Sequence, residues 1–156
     1  MPVGLQEART GSAAILDLRT RLSVPPSWPD PLLCFDPAAL PPLPEIKDHA
    51  IAQQVFLHRS IHMAEGDLSL LSRISKSYEP LEGLGDRILH LEDYTNYLTA
   101  NRTLSFLSLA YGLPNRIIHT SGPDLALNQK VAADVFEASV GGVYDDAGSE
   151  GLKRVA

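Results

Sequence analysis

A single cysteine, Cys34, in 156 residues leaves no internal disulfide framework to build on. No apolar run approaches the roughly 20 residues that cross a bilayer, so no membrane association is expected. Basic residues are scarce. The chain carries 13 Lys and Arg against 19 Asp and Glu, a formal charge of −6, which is the wrong sign for holding nucleic acid by a basic surface alone. From residue 44 onward the imbalance persists, at 10 basic against 15 acidic residues. No internal repeat is visible. With 44% hydrophobic residues, the length and these absences predict one soluble, intracellular domain with a tail. The sequence does not distinguish cytoplasm, nucleus and mitochondrion.

Proline, in contrast, is abundant, and it is concentrated at the start. Residues 1–43 hold no steady period and include Pro25-Pro26, Pro29 and Pro41-Pro42, which predicts an extended leader ahead of a domain at 44–156. Arg9, Arg19 and Arg21 hint at organelle targeting, but Glu7 and Asp17 interrupt the acid-poor character of such peptides, and a plain flexible tail fits better. Trp28, Leu32, Leu33 and Phe35 are too apolar to remain in water and are expected to lie over the domain.

Two stretches carry chemistry. In the first, residues 78–91, Leu81, Leu84, Ile88 and Leu91 recur at helical spacing and form an apolar stripe. Glu79, Glu82 and Asp86 form a second stripe. Carboxylates three and four residues apart repel by a few tenths of a kcal/mol per pair, so this face attracts a cation. Capping explains part of it: Pro80 suits the first helical position, with Glu79 as N-cap and Glu82 near the helix start. It does not explain Asp86, nearly two turns in and beside Gly85, where glycine costs roughly 1 kcal/mol. In the second stretch, residues 130–144, Asp134 and Glu137 sit at i, i+3 in a run otherwise apolar or small. Desolvating a lone carboxylate costs several kcal/mol, so both acids need a partner. Lys130, one turn before Asp134, can neutralise one of them. Two helices offering two carboxylates each converge on oxygen-only coordination, the preference of Mg²⁺ or Mn²⁺.

The two stretches resemble the two motifs of the ribonuclease III endonuclease domain. Glu79, Leu81, Glu82, Leu84, Gly85 and Asp86 fall in register with the family's Glu-x-Leu-Glu-Phe-Leu-Gly-Asp. Ala133, Asp134, Phe136, Glu137, Ala138, Gly142 and Tyr144 match its Ala-Asp-x-Phe-Glu-Ala with a following Gly and aromatic. Between them Asn101-Arg102-Thr103-Leu104 resembles the family's Asn-rich helix start, and Phe56 to Ser60 its early His-x-Ser segment. The resemblance covers about residues 42–156. It implies an all-α ribonuclease III fold, with Glu82, Asp86, Asp134 and Glu137 as catalytic and metal-holding residues, Glu79 and Lys130 in support, Mg²⁺ (or Mn²⁺) as cofactor, and double-stranded RNA as substrate. It also implies a homodimer, cleavage by phosphodiester hydrolysis in RNA processing, and products with a 5′-phosphate and short 3′ overhangs.

Two departures matter. Only Arg87 to Ala100 separates Asp86 from Asn101, an interval shorter than the family's by about one helix, and the last helix is cut short at Ala156. Gly83 stands where the family has a bulky residue that plugs the partner subunit, so a homodimer is expected to be weakened. These changes leave open a catalytically silent structural or RNA-binding module, for example in a mitochondrial ribosome, and a splice form or fragment.

The remaining segments are read from local signals. A helix is expected to start near Asp48, another to span 101–112 with Asn101 as cap, and a third to start within 124–131. Residues 64–77 read as a loop with at most a short helix. Asp145 and Asp146 with Gly148 read as a turn into a final helix. His58 and His62 share the i, i+4 spacing of zinc ligands, but the Glu of the His-Glu-x-x-His motif is absent and structural hydrogen bonding by His58 is the better reading.

Overall fold

Most of the helices start where a side chain supplies an acceptor for the free N–H groups. Asp48 accepts from the backbone of Ala50 and Ile51 at 2.8 and 3.2 Å and opens α1 (His49–Gln54). Ser69 does the same for α2 (Leu70–Ser75). α3 (Glu79–Leu91) begins one residue earlier than expected: the Tyr78 carbonyl takes the first helical bond, from Glu82, and the Ser77 hydroxyl accepts from the Glu79 N–H. Glu79 is therefore the first helical residue and not the cap. α4 (Asn101–Ala110) likewise includes Asn101, with Ala100 at the N-cap and no side chain capping it. Asn128 caps α5 (Gln129–Ala147) through Lys130 and Val131. The computed structural model describes residues 17, 19–29, 36–64, 69–91 and 100–148, and among these the protein is all-α, its remaining regular elements being short 3-10 turns. The expected shortening within 87–100 and the truncated last helix fall on residues 92–99 and 149–156, outside the described ones.

α5 is the spine. It packs against α3, α4, α1 and two of the 3-10 turns, and it is buried continuously from Val131 to Ser139, the acids Asp134 and Glu137 included. Val135 and Phe136 share one hydrophobic core with Leu81 of α3, Leu104 of α4, Val55 and Phe56 after α1, and Leu113. Asp145 and Asp146 lie within this helix and not in a turn. The Asp146 carboxylate accepts from the N–H groups of Lys47 and Asp48, which ties the end of α5 to the start of α1 and carries the helix to Gly148, where φ is +62°. Ile117 is buried, and Ile118 pairs with the backbone of Phe56 and His58 in an isolated parallel bridge.

The leader is not extended throughout. Residues 19–21 are helical, and Trp28 is only 4% exposed. Its indole N–H donates to the Leu127 carbonyl at 2.8 Å, its ring meets Phe106 edge-on at 5.9 Å, and the Arg19 guanidinium donates to the Pro25 and Trp28 carbonyls. Burying a large aromatic outweighs the local preference of a proline-rich segment for extension. Leu32, Leu33 and Phe35 lie outside the described residues. Trp28→Ala is expected to cost about 3–5 kcal/mol, measured by urea denaturation; a loss below about 0.5 kcal/mol, the scale of ordinary surface substitutions, is incompatible with this docking.

Candidate metal centre

The approach of α3 to α5 is set by two glycines. A Cβ on Gly85 would lie 1.8 Å from the Glu137 carbonyl oxygen, and one on Gly141 would lie 2.0 Å from that of Leu81. The helices therefore cross backbone against backbone. This is why Gly85 stands in a helix interior despite its cost. Glu82 lies one turn before Gly85, and Glu137 one turn before Gly141, so both carboxylates are delivered to one side of the crossing.

Glu82, Asp134 and Glu137 meet there. Each offers a carboxylate oxygen, and the three oxygens lie within 4.8 Å of one another. Glu137 is 5% exposed and Asp134 7%, while Glu82 is partly buried. Among the described residues no hydrogen-bond donor reaches the Glu82 or Glu137 carboxylates. Asp134 is different: both of its oxygens accept from the Lys130 ammonium at 2.8 Å. Burial, with Glu82, Asp134 and Asp86 adding to it, pushes Glu137 up to about 8. Burial and the Asp134 charge raise Glu82 as well. The Asp134 hydrogen bond raises Lys130, keeping its positive charge in place. Three converging carboxylates with no nitrogen or sulfur donor among them are of the type that hard divalent cations such as Mg²⁺ or Mn²⁺ prefer. Two clefts among the described residues, of about 360 and 580 Å³, are lined by other residues.

The other expected residues are placed differently. Asp86 is outside the trio, with an oxygen 3.2 Å from His90 Nε2 and both side chains about half exposed. It acts on Glu82 and Glu137 through space. Glu79 pairs with Arg59 at 3.0 Å. Gly83 faces open space, with nothing within 4 Å of a Cβ placed there. His58 is structural: its Nδ1 accepts from the Ser60 N–H at 3.2 Å and is 2.9 Å from the Ser60 hydroxyl. That hydroxyl accepts from the Thr120 N–H, and the Thr120 hydroxyl donates back to the Ser60 carbonyl. Burial, then Arg59, lowers His58 and favours the neutral ring.

One neighbour was not legible as part of the centre. Tyr78 is buried beside it, its ring 5.8 Å from that of His58, and its phenol is raised first by burial and then by the charge of Asp134. Its position immediately before Glu79 was the only available signal. No family model matches the chain.

Proposed function

We propose that the chain is a divalent-metal-dependent endoribonuclease that hydrolyses double-stranded RNA, in the manner of the ribonuclease III domain its motifs resemble. The observation that carries this reading is the Glu137 carboxylate, nine-tenths buried and without a hydrogen-bond donor among the described residues, facing Glu82 and Asp134 within 4.8 Å across two helices. Burial and the neighbouring carboxylates disfavour its charged form, and a cation at the site favours it. Glu82, Asp134 and Glu137 hold the ion, and Asp86 adds negative charge from the rim. When bound, Mg²⁺ or Mn²⁺ supplies Lewis-acid polarisation of the phosphate and charge to offset the leaving oxygen. The protein's own part is to fix the three carboxylates on backbones in contact, so that little reorganisation accompanies substrate binding. An A-form duplex is read by shape and 2′-hydroxyls, which suits a site that is not enclosed in either cleft.

A second reading, a silent structural or RNA-binding module, is favoured by one observation. Lys130 already satisfies both Asp134 oxygens, and a fold that balances its buried charge internally has less need of metal. Incubating the chain with a long labelled duplex RNA, in Mg²⁺ or EDTA, separates the two. Metal-dependent cleavage abolished by EDTA is the expected result. RNA binding by a folded chain without cleavage at any Mg²⁺ or Mn²⁺ concentration establishes the silent module instead.

A further inference from the structure

We infer that the leader is a positioning element of the carboxylate centre: Trp28 clamps the junction from which α5 starts, so that docking of the leader and binding of a divalent ion favour each other. The inference rests on the metal-centre reading above and adds a distant segment on which that centre depends.

The clamp joins two helices. The Trp28 indole N–H donates at 2.8 Å to the carbonyl of Leu127, the last residue of the 3-10 turn Pro123–Leu127. Its ring meets Phe106 of α4, itself 1% exposed, edge-on at 5.9 Å. Leu127 is followed directly by Asn128, whose side chain accepts from the Lys130 and Val131 N–H groups and starts α5. Gln129, the first helical residue, reaches the Ser105 hydroxyl of α4 at 3.3 Å. Asp134 lies less than two turns beyond the cap, and Glu137 about one turn further. The direction in which the chain enters α5 therefore sets where these two carboxylates stand relative to Glu82 on α3. Leu127 is 53% exposed, so its own packing does little to hold the junction, and the indole supplies a hold. The leader is itself braced. The Arg19 guanidinium donates to the Pro25 and Trp28 carbonyls, and the N–H groups of Val24 and Trp28 donate to the Arg19 and Pro25 carbonyls.

Charge gives the coupling its sign. Ionised carboxylates within 4.8 Å of one another repel and press α5 away from α3, and a divalent ion between them reverses that force. By resisting displacement of the α5 start, Trp28 favours the arrangement that the ion needs. Linkage then requires the ion to favour the docked leader by the same factor.

Two measurements on the full chain test this. Mn²⁺ titration, followed by the electron paramagnetic resonance of free Mn²⁺, compares wild type with Trp28→Phe, which keeps a ring for Phe106 and removes the indole N–H. The variant is expected to retain its helical circular dichroism and to bind at least about five-fold more weakly, the low end of coupling between sites. The second measurement is amide hydrogen exchange with and without Mg²⁺, which a merely structural Trp28 would not move. Exchange of the Val24 and Trp28 N–H groups is expected to slow by a similar factor when Mg²⁺ is added to wild type, and to ignore Mg²⁺ in Glu137→Gln. A smaller loss of Mn²⁺ affinity in a folded Trp28→Phe overturns the inference. So does leader exchange that ignores Mg²⁺ in wild type, or that responds to it equally in Glu137→Gln. If Trp28→Phe does not fold, the exchange measurement decides alone. Absence of Mn²⁺ binding by wild type, or binding that survives Glu137→Gln, rejects the centre itself and the inference with it.

Discussion

Glu137→Gln is expected to lose metal-dependent cleavage by about 10²–10³-fold or more while the metal-free protein becomes more stable at alkaline pH. The two effects have one cause. Glu137 is buried among carboxylates and pushed up to about 8, so between the ordinary value of 4.5 and about 8 the folded chain holds a proton that the unfolded chain releases. Stability contributed by the protonated form is fully present below the unfolded value and is lost as pH rises through this window. Metal-free wild type should therefore soften as pH rises from about 5 to about 8.5. Mn²⁺ should restore it most at the alkaline end, where the carboxylate it binds is otherwise uncompensated. Gln keeps the volume and removes the charge. At about pH 8.5 without metal the variant is expected to gain about 1–3 kcal/mol, a rise of several degrees in Tm, and to lose the Mn²⁺ response. Thermal scans at both ends of this pH range, with and without Mn²⁺, check this beside the cleavage assay. A variant that melts at the wild-type temperature at every pH and still gains stability from Mn²⁺ places the metal elsewhere.

How far the sequence revealed the centre depends on the kind of signal each residue leaves. Asp134 and Glu137 were visible because charged residues in an apolar run contradict their surroundings, and the structure buries both. Lys130 was visible because i, i+4 spacing fixes its reach, and the ion pair is formed. The helix start near Asp48 followed from a side chain that competes for N–H groups, and Asp48 caps α1, whereas the start expected only within 124–131 is fixed by Asn128. Asp86 shows the limit of periodicity: it shares a stripe with Glu82, yet side-chain direction and the nearby His90 draw it away from the trio. Trp28 shows another limit, since local proline content says nothing about the Leu127 carbonyl and Phe106 ring that it finds far along the chain. The Ser60 and Thr120 contacts join segments whose proximity depends on the Leu57 and Ile118 bridge, and long-range pairing of that kind has no local trace.

The helix crossing offers a stability test with its own control, because Gly→Ala reverses sign within one helix. At Gly83 a Cβ meets nothing within 4 Å, so Gly83→Ala removes the conformational cost of a helical glycine and is expected to stabilise by about 0.5–1 kcal/mol. Two residues on, the same change at Gly85 drives a methyl group to 1.8 Å from the Glu137 carbonyl oxygen. No rotamer change relieves a clash with backbone. The helices must separate, and the expected loss is about 3 kcal/mol or more, well beyond the propensity gain. Gly141→Ala presses on the Leu81 carbonyl from the other side at 2.0 Å and is expected to act alike. Separation also moves Glu82 away from Asp134 and Glu137, so any folded fraction should bind Mn²⁺ at least about ten-fold more weakly, comparable to losing a supporting contact at a metal site. Chemical denaturation of the three variants, with Mn²⁺ titration of those that fold, tests packing and site together. If Gly85→Ala is as stable as Gly83→Ala and binds Mn²⁺ as wild type does, the backbones do not touch there, and the geometry that brings the three carboxylates together is wrong.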